Sequence, residues 1–179
     1  KKDFIKRGDR LQTSEEFEEM IDYIDNLLDS YGFGSMRNLN FVRDARWLPY
    51  TENTVCYWIY CFNLDIFDYE NCSFRNGPLS GLSEDTYIYL DWFDKGNDIF
   101  VLVKWNVSET TTQNGMEGGC NTPDRGIKYM NSMLELHEMF PQYTTVRESK
   151  KNSETYGFTV PTLKTRLVKN KRRQVRNLF

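Results

Sequence analysis

Residues 86–105 read TYIYLDWFDKGNDIFVLVKW and decide the predicted fold. Two runs rich in Tyr, Ile, Phe, Val and Trp flank a polar break that contains Gly96. Strand-forming residues in alternation on both sides of a short connection with glycine predict a β-hairpin. Both faces of each run are largely apolar, so we expect the hairpin to lie in a sheet that is covered on both sides.

The length and composition are those of one globular domain. The chain has 179 residues, 39% hydrophobic and 27% charged, which is enough for a hydrophobic core and unlike a disordered protein. No run approaches the roughly 18 apolar residues of a membrane span, and no signal-peptide core opens the chain. We therefore expect no membrane partner and a cytoplasmic or virion location.

The net charge of -3 conceals two regions of opposite charge. Residues 1–140 contain 13 Lys/Arg and 24 Asp/Glu, a net charge of -11. Residues 141–179 contain 10 Lys/Arg and 2 Asp/Glu, a net charge of +8. An acidic body with a basic tail indicates an interaction arm.

The first amphipathic helix is predicted to begin at a capping box formed by Thr13 and Glu16 and to end at Gly32. Its other surface is acidic, which indicates either a solvated face or a docking surface for a basic partner. The apolar stripe recurs at three- and four-residue spacing and comprises Phe17, Met20, Ile21, Ile24, Leu27, Leu28 and Tyr31.

The second helix is predicted to start at Thr122 as N-cap, with Pro123 as its first residue, and to end before Pro141. Its apolar stripe comprises Ile127, Met130, Met133, Leu134, Leu136, His137 and Phe140. His137 is the only histidine of the chain, and we expect a core or boundary imidazole with a hydrogen-bond partner rather than a catalytic base.

Between the helices, residues 32–35 predict a loop, 39–48 an edge strand and 55–67 a central strand. Residues 68–84 and 108–121 are rich in turn residues and predict connections. The four cysteines, Cys56, Cys61, Cys72 and Cys120, contain no CxxC pair. We therefore expect buried, reduced thiols, with neither a zinc site nor a disulfide framework.

An enzymatic alternative lies in residues 86–105. Asp91, a turn, and then Leu102-Val103-Lys104 resemble the layout of PD-(D/E)xK nucleases. In that family an acid and an acid-x-Lys hold a divalent metal and position the attacking water. Leu102 stands where the second acid is expected, so one metal ligand is missing. The resemblance implies a degenerate or active nuclease, with Asp91, Asp98 and Lys104 as the residues to test.

The basic C-terminal segment is the leading candidate for a binding site. Residues 161–179 contain no acid. They could bind the acidic surface of a neighbouring subunit, lie along the phosphates of a nucleic acid, or remain a solvated tail. The candidate partner-binding residues are Lys164, Arg166, Lys169, Lys171, Arg172, Arg173, Arg176, Leu178 and Phe179.

The sequence therefore predicts a single α+β domain over residues 13–140, preceded by a polar arm (1–12) and followed by an extended basic arm (141–179). The domain comprises a helix, an antiparallel or mixed sheet of about four strands, and a second helix. Its Asn-, Asp-, Tyr- and Phe-rich composition is similar to that of small proteins from AT-rich phage genomes.

We interpret the chain as a non-enzymatic structural or assembly protein, with a phage virion component as one such role. The arm would bind other protein subunits in a homo- or hetero-oligomer. A nucleic-acid-binding accessory protein and the nuclease are the alternatives. For the leading interpretation we expect neither a catalytic residue nor a cofactor or metal.

Overall fold

The computed structural model describes residues 13–38, 49–55, 59–68, 70, 83–107, 124–148 and 161–167. Within these residues the chain has the predicted α+β class, with three helices, a mixed four-stranded sheet and a separate two-stranded sheet. The elements in chain order are α1 (Ser14–Tyr31), β1 (Phe33–Asn38), β2 (Tyr50–Glu52), β3 (Ile59–Phe62), α2 (Glu84–Asp94), β4 (Phe100–Val107), α3 (Arg125–Met139), β5 (Thr144–Glu148) and β6 (Pro161–Thr165).

The chain divides into two compact units. The first comprises Lys1–Tyr69 and Asp98–Thr110, and the second comprises Glu70–Asn97 and Thr111–Phe179. The predicted domain boundaries stay a prediction. The predicted strand at 39–48 and the predicted connection at 108–121 lie outside the described residues, as does most of the connection at 68–84.

Helix α1 forms as its sequence predicts. The N–H of Glu16 donates to Thr13 Oγ1 at 3.1 Å, and the N–H of Thr13 donates to the Glu16 carboxylate at 3.3 Å, so the capping box is confirmed. Gly32 ends the helix with φ 69°, a left-handed conformation that glycine adopts without strain. The buried residues of the helix are Met20, Ile24, Leu27 and Leu28, which pack with Met36, Phe100, Leu102 and Trp105 of the sheet.

The four-stranded sheet of the first unit has the order β2-β4-β1-β3. Strands β1 and β4 are parallel, and the other two pairs are antiparallel. The loop predicted at 32–35 is wrong beyond Gly32, because β1 begins at Phe33. The central strand predicted at 55–67 is also wrong. Among the described residues of this range (55 and 59–67), Ile59–Phe62 alone forms a strand, and that strand lies at the sheet edge. An Asx turn follows, in which the Asn63 side chain accepts the N–H of Asp65.

The predicted hairpin at 86–105 is wrong in its first half. Residues 84–94 form helix α2, and only β4 is a strand. The helix is buried on every side, so its apolar residues show no helical stripe that would distinguish it from a buried strand. Its aromatic and β-branched residues favour a strand by propensity, and burial overrides that preference. The buried residues are Thr86, Tyr87, Ile88, Tyr89, Leu90, Trp92 and Phe93.

A bulge interrupts β4 where it pairs with the segment before β2. The N–H groups of Val103 and Lys104 both donate to the carbonyl of Pro49, at 2.8 and 2.9 Å. Two residues against one partner define a β-bulge, which shifts the alternation of side chains along the strand. Trp105 consequently joins the core under α1, with its ring centroid 5.4 Å from that of Tyr23.

The second unit contains α2, α3 and the β5–β6 pair. Helix α3 begins at Arg125 with Asp124 in the N-cap position, so the predicted start at Thr122 is wrong. Its end at Met139, before Pro141, is confirmed. Residues 144–148 and 161–165, within the predicted extended basic arm (141–179), form paired strands. Most of the remaining arm lies outside the described residues.

Candidate functional site

The candidate site is one face of the β5–β6 pair. The antiparallel register places Thr145 opposite Lys164 and Arg147 opposite Thr162, so these four side chains share a face. The N–H of Arg166 donates to the carbonyl of Tyr143 at 2.8 Å, which continues the pairing by one residue and places Arg166 on the face of Lys164. We call Arg147, Lys164 and Arg166 the basic strand face.

The opposite face of the pair is held by the helices of the same unit. The Tyr89 hydroxyl on α2 donates to Thr165 Oγ1 at 3.2 Å. Beside the pair, the ring of Tyr143, the residue before β5, meets that of Phe93 edge to face with centroids 5.2 Å apart. Because one face is fixed by α2, the register of the strands is fixed too, and the three cations are held outward.

His137, in the last turn of α3, is hydrogen-bonded to Thr144, the first residue of β5. Thr144 Oγ1 donates to the carbonyl of Phe140 at 2.7 Å, so its lone pair accepts the N–H of His137 Nδ1 at 2.9 Å. The half-buried ring is a boundary imidazole with a hydrogen-bond partner, as the sequence predicts. Its role in the described contacts is to orient Thr144 and the start of β5.

The charge of the basic strand face is not neutralised by an ion pair within the part of the chain that the structure describes. Arg147, Lys164 and Arg166 are exposed, and among the described residues no ion pair includes any of them. Arg147 and Lys164 are diagonal neighbours across the pair, a separation of roughly 7–8 Å, and Arg166 lies two residues further along the strand. This face can therefore receive a row of anionic groups.

The structure brings together Lys164 and Arg166 of the predicted binding residues. Lys169, Lys171, Arg172, Arg173, Arg176, Leu178 and Phe179 lie outside the described residues. The predicted site does not include Arg147, and strand pairing across a 12-residue connection (149–160) brings it beside Lys164. The available signal was the alternation of small or apolar with charged residues in TTVRE and PTLKT.

The strand–turn–strand layout of the nuclease resemblance is not formed. Asp91 lies on α2 and pairs with Lys95 at 2.7 Å, whereas Lys104 lies on β4 and pairs with Glu19 at 2.6 Å. Asp98 accepts a hydrogen bond from the side-chain amide of Asn53 at 2.7 Å. In the described part of the chain no three His, Cys, Asp or Glu residues are grouped so that they could hold a metal ion.

Cys61 is the cysteine that the described residues include. It is a half-buried free thiol on β3. Burial, and next the charge of Asp25, raise the pKa of this thiol. Since the thiolate is the reactive form, these surroundings suit a structural thiol rather than a nucleophile. Cys56, Cys72 and Cys120 lie outside the described residues.

Neither a membrane span nor a known relative offers a further guide. Among the described residues, every helix is too short or too polar to cross a bilayer. No protein-family model, no curated protein and no solved structure matches this chain.

Proposed function

We propose that this protein is a non-enzymatic assembly protein that binds an acidic surface of a neighbouring subunit. The binding segment comprises residues 161–179 together with the basic strand face. The observation that carries the proposal is the outward row of Arg147, Lys164 and Arg166, which lie without ion pairs among the described residues. This row is continuous along the chain with five further cations after Leu167.

The two kinds of residue in the segment contribute differently to binding. Exposed ion pairs stabilise by about 0–1 kcal/mol each, so the cations supply orientation and a fast encounter more than affinity. The interspersed Leu163, Leu167, Val168 and Val175, with the terminal Leu178 and Phe179, supply apolar area for burial on the partner. A virion is one setting in which such arms join subunits.

Light scattering coupled to size-exclusion chromatography tests the proposal. We compare the full chain with a chain that ends at Leu167, because this truncation retains β6 and its pairing with β5. We expect the full chain to associate with rising concentration and the truncated chain to remain a monomer. A full chain that stays monomeric at high concentration, with its C-terminal segment cleaved readily by protease, would contradict the proposal.

A matched pair of single substitutions separates the site from overall charge. Lys164→Gln removes a cation from the basic strand face, whereas Lys128→Gln removes an exposed cation from α3, where it pairs with Asp124. We expect weaker association for Lys164→Gln and unchanged association for Lys128→Gln. Equal effects of the two would assign the association to net charge alone.

Nucleic-acid binding is the second candidate, favoured by the presence of three cations on the folded part of the segment. The acidic remainder of the chain, with a net charge of -11 over residues 1–140, opposes it. Fluorescence anisotropy with single-stranded RNA and duplex DNA at several salt concentrations tests this candidate. We expect the slope of log K against log salt to fall in magnitude by about 0.7–0.9 for each cation that contacts a phosphate and is removed. Absent or salt-insensitive binding eliminates it.

A further inference from the structure

Helix α1 carries two large apolar side chains that do not enter the core. Phe17 is 51% exposed and Ile21 is 38% exposed, one helical turn apart. The core-facing side of the helix is already supplied by Met20, Ile24 and Leu27. The sequence places Phe17 and Ile21 in the apolar stripe of the helix, and the structure leaves both exposed.

Acidic side chains lie beside this exposed apolar pair. Helix α1 contains seven Asp or Glu and no Lys, Arg or His. Glu18, Asp22, Asp25 and Asp29 recur at four- and three-residue spacing, so they form a stripe beside Phe17 and Ile21. All four are exposed. We call these six residues the α1 outer face.

The binding segment of the same protein has the complementary composition. Residues 161–179 contain seven Lys or Arg and no acid, interspersed with Leu, Val and Phe. An acidic stripe with an adjoining apolar pair matches a basic chain with apolar side chains, both in charge and in the need to bury apolar area.

We propose that the α1 outer face of one copy binds residues 161–179 of a second copy. This inference rests on the proposed function and names the surface that the arm recognises. The contact is heterologous, since it joins different surfaces of the two chains. Two copies can exchange arms reciprocally, or successive copies can extend the assembly.

Charge exchange between two variants tests this contact. One variant carries Glu18→Lys and Asp22→Lys, and the other carries Arg172→Glu and Arg173→Glu. Each variant alone should associate at least tenfold more weakly than the natural chain in sedimentation equilibrium. An equimolar mixture should recover most of the lost affinity, because the unaltered arm of the helix variant can then bind the unaltered α1 of the arm variant.

The control variant carries Glu138→Lys and Asp65→Lys, which make the same charge change at exposed acids outside α1. It should associate as the natural chain does. Phe17→Ser with Ile21→Ser should also weaken association, by a factor that changes little with salt. Circular dichroism verifies that each variant retains its helices.

The possible failures are distinguishable. Suppose that Arg172→Glu with Arg173→Glu (the arm variant) abolishes association, whereas the substitutions at Glu18 and Asp22, or at Phe17 and Ile21, do not. The arm then assembles subunits but binds another surface, and the inference about α1 is wrong. Leu64 is an exposed apolar side chain outside α1, 76% exposed. The same conclusion follows if Leu64→Ser abolishes association and the substitutions in α1 do not. If the arm variant associates normally, the proposed function fails as well. Cross-links between the arm and α1 that form only within single chains would also overturn the inference.

Discussion

Gly34 lies directly beside Phe100 in the parallel pairing of β1 with β4, and the Phe100 ring occupies the space into which a β-carbon on residue 34 would project. The ring is fully buried beneath α1, where it meets Tyr31 edge to face at 5.7 Å. The close approach of helix to sheet in the first unit therefore requires the smallest residue at this position.

Gly34→Ala should consequently lower the free energy of unfolding. The added methyl group would force the Phe100 ring or the strand to move, which costs about 1–3 kcal/mol in a packed core. Urea denaturation followed by tryptophan fluorescence, to which the buried Trp105 contributes, measures the change. An unfolding midpoint equal to that of the natural chain would show that the core yields more easily than its geometry indicates.

Ser35→Ala, at the next residue, should have the opposite sign. Ser35 is fully buried, and within the described residues its hydroxyl has no hydrogen-bond partner. Thr51 Oγ1 is likewise a buried atom without a hydrogen-bond partner among the described residues. In the sheet, Ser35 on β1 and Thr51 on β2 pair with Val101 of β4 from its two sides. Removing the Ser35 hydroxyl should raise the free energy of unfolding by up to about 1 kcal/mol. A loss of stability in the same denaturation experiment would reveal a partner for the hydroxyl.

Thr144→Val should destabilise the second unit. The substitution keeps the shape of the side chain but leaves the Phe140 carbonyl and His137 Nδ1 without the Thr144 hydroxyl. We expect a loss of about 1–3 kcal/mol. Thr145→Val, at the exposed neighbouring position, is the control and should change stability by less than about 0.5 kcal/mol. The thermal unfolding midpoint of Thr144→Val should therefore lie clearly below that of Thr145→Val. Equal midpoints would show that the hydrogen bonds of Thr144 with Phe140 and His137 contribute little to stability.

Asp85→Asn should change the dependence of stability on pH. Burial raises the pKa of the Asp85 carboxyl, a rise that the hydrogen bond from the Thr86 N–H partly offsets. A raised folded-state pKa means that the stabilising contribution is complete below the unfolded-state pKa and is lost as the pH rises through the folded-state value. At neutral pH the buried charge is therefore unfavourable, and Asn should increase stability.

The gain in stability from Asp85→Asn should shrink as the pH falls toward the ordinary pKa range of aspartate. The Asp85 carboxyl is then protonated, so the natural side chain and its Asn replacement are both neutral. Denaturation midpoints measured between pH 3 and pH 8 follow the difference. Glu138→Gln, an exposed acid on α3, is the control and should show no comparable trend. A gain independent of pH would assign the effect to hydrogen bonding.

A helix or strand can be predicted from the sequence when the residues that determine it lie close together in the chain. Helix α1 was predicted with both ends, because Thr13, Glu16 and Gly32 act within a single turn. Helix α2 was not predicted, because full burial removes the periodicity that marks a helix and leaves only misleading propensities. The pattern of α1 could not show that Phe17 and Ile21 lie outside the core, since the width of the buried stripe depends on the sheet beneath it.

The candidate site shows the same limit. The basic character of residues 161–179 is visible in the sequence, and so are Lys164 and Arg166. Their alignment with Arg147 depends on the register of β5 and β6, which is fixed by contacts such as that of Tyr89 with Thr165, 76 residues apart. A contact between residues this far apart in the chain gives no local sequence signal from which the register could be predicted.

The position of β4 in the chain has a consequence for synthesis. This strand lies between β1 and β2 in the sheet, yet 37 residues separate its start from the end of β3. A ribosome adding 5–20 residues per second needs about 2–9 s to deliver β4 after β3 is complete. During that interval α1, β1 and β3 have emerged without the strand that joins them to β2. Nascent chains should therefore be most susceptible to chaperone capture and to mispairing during these seconds.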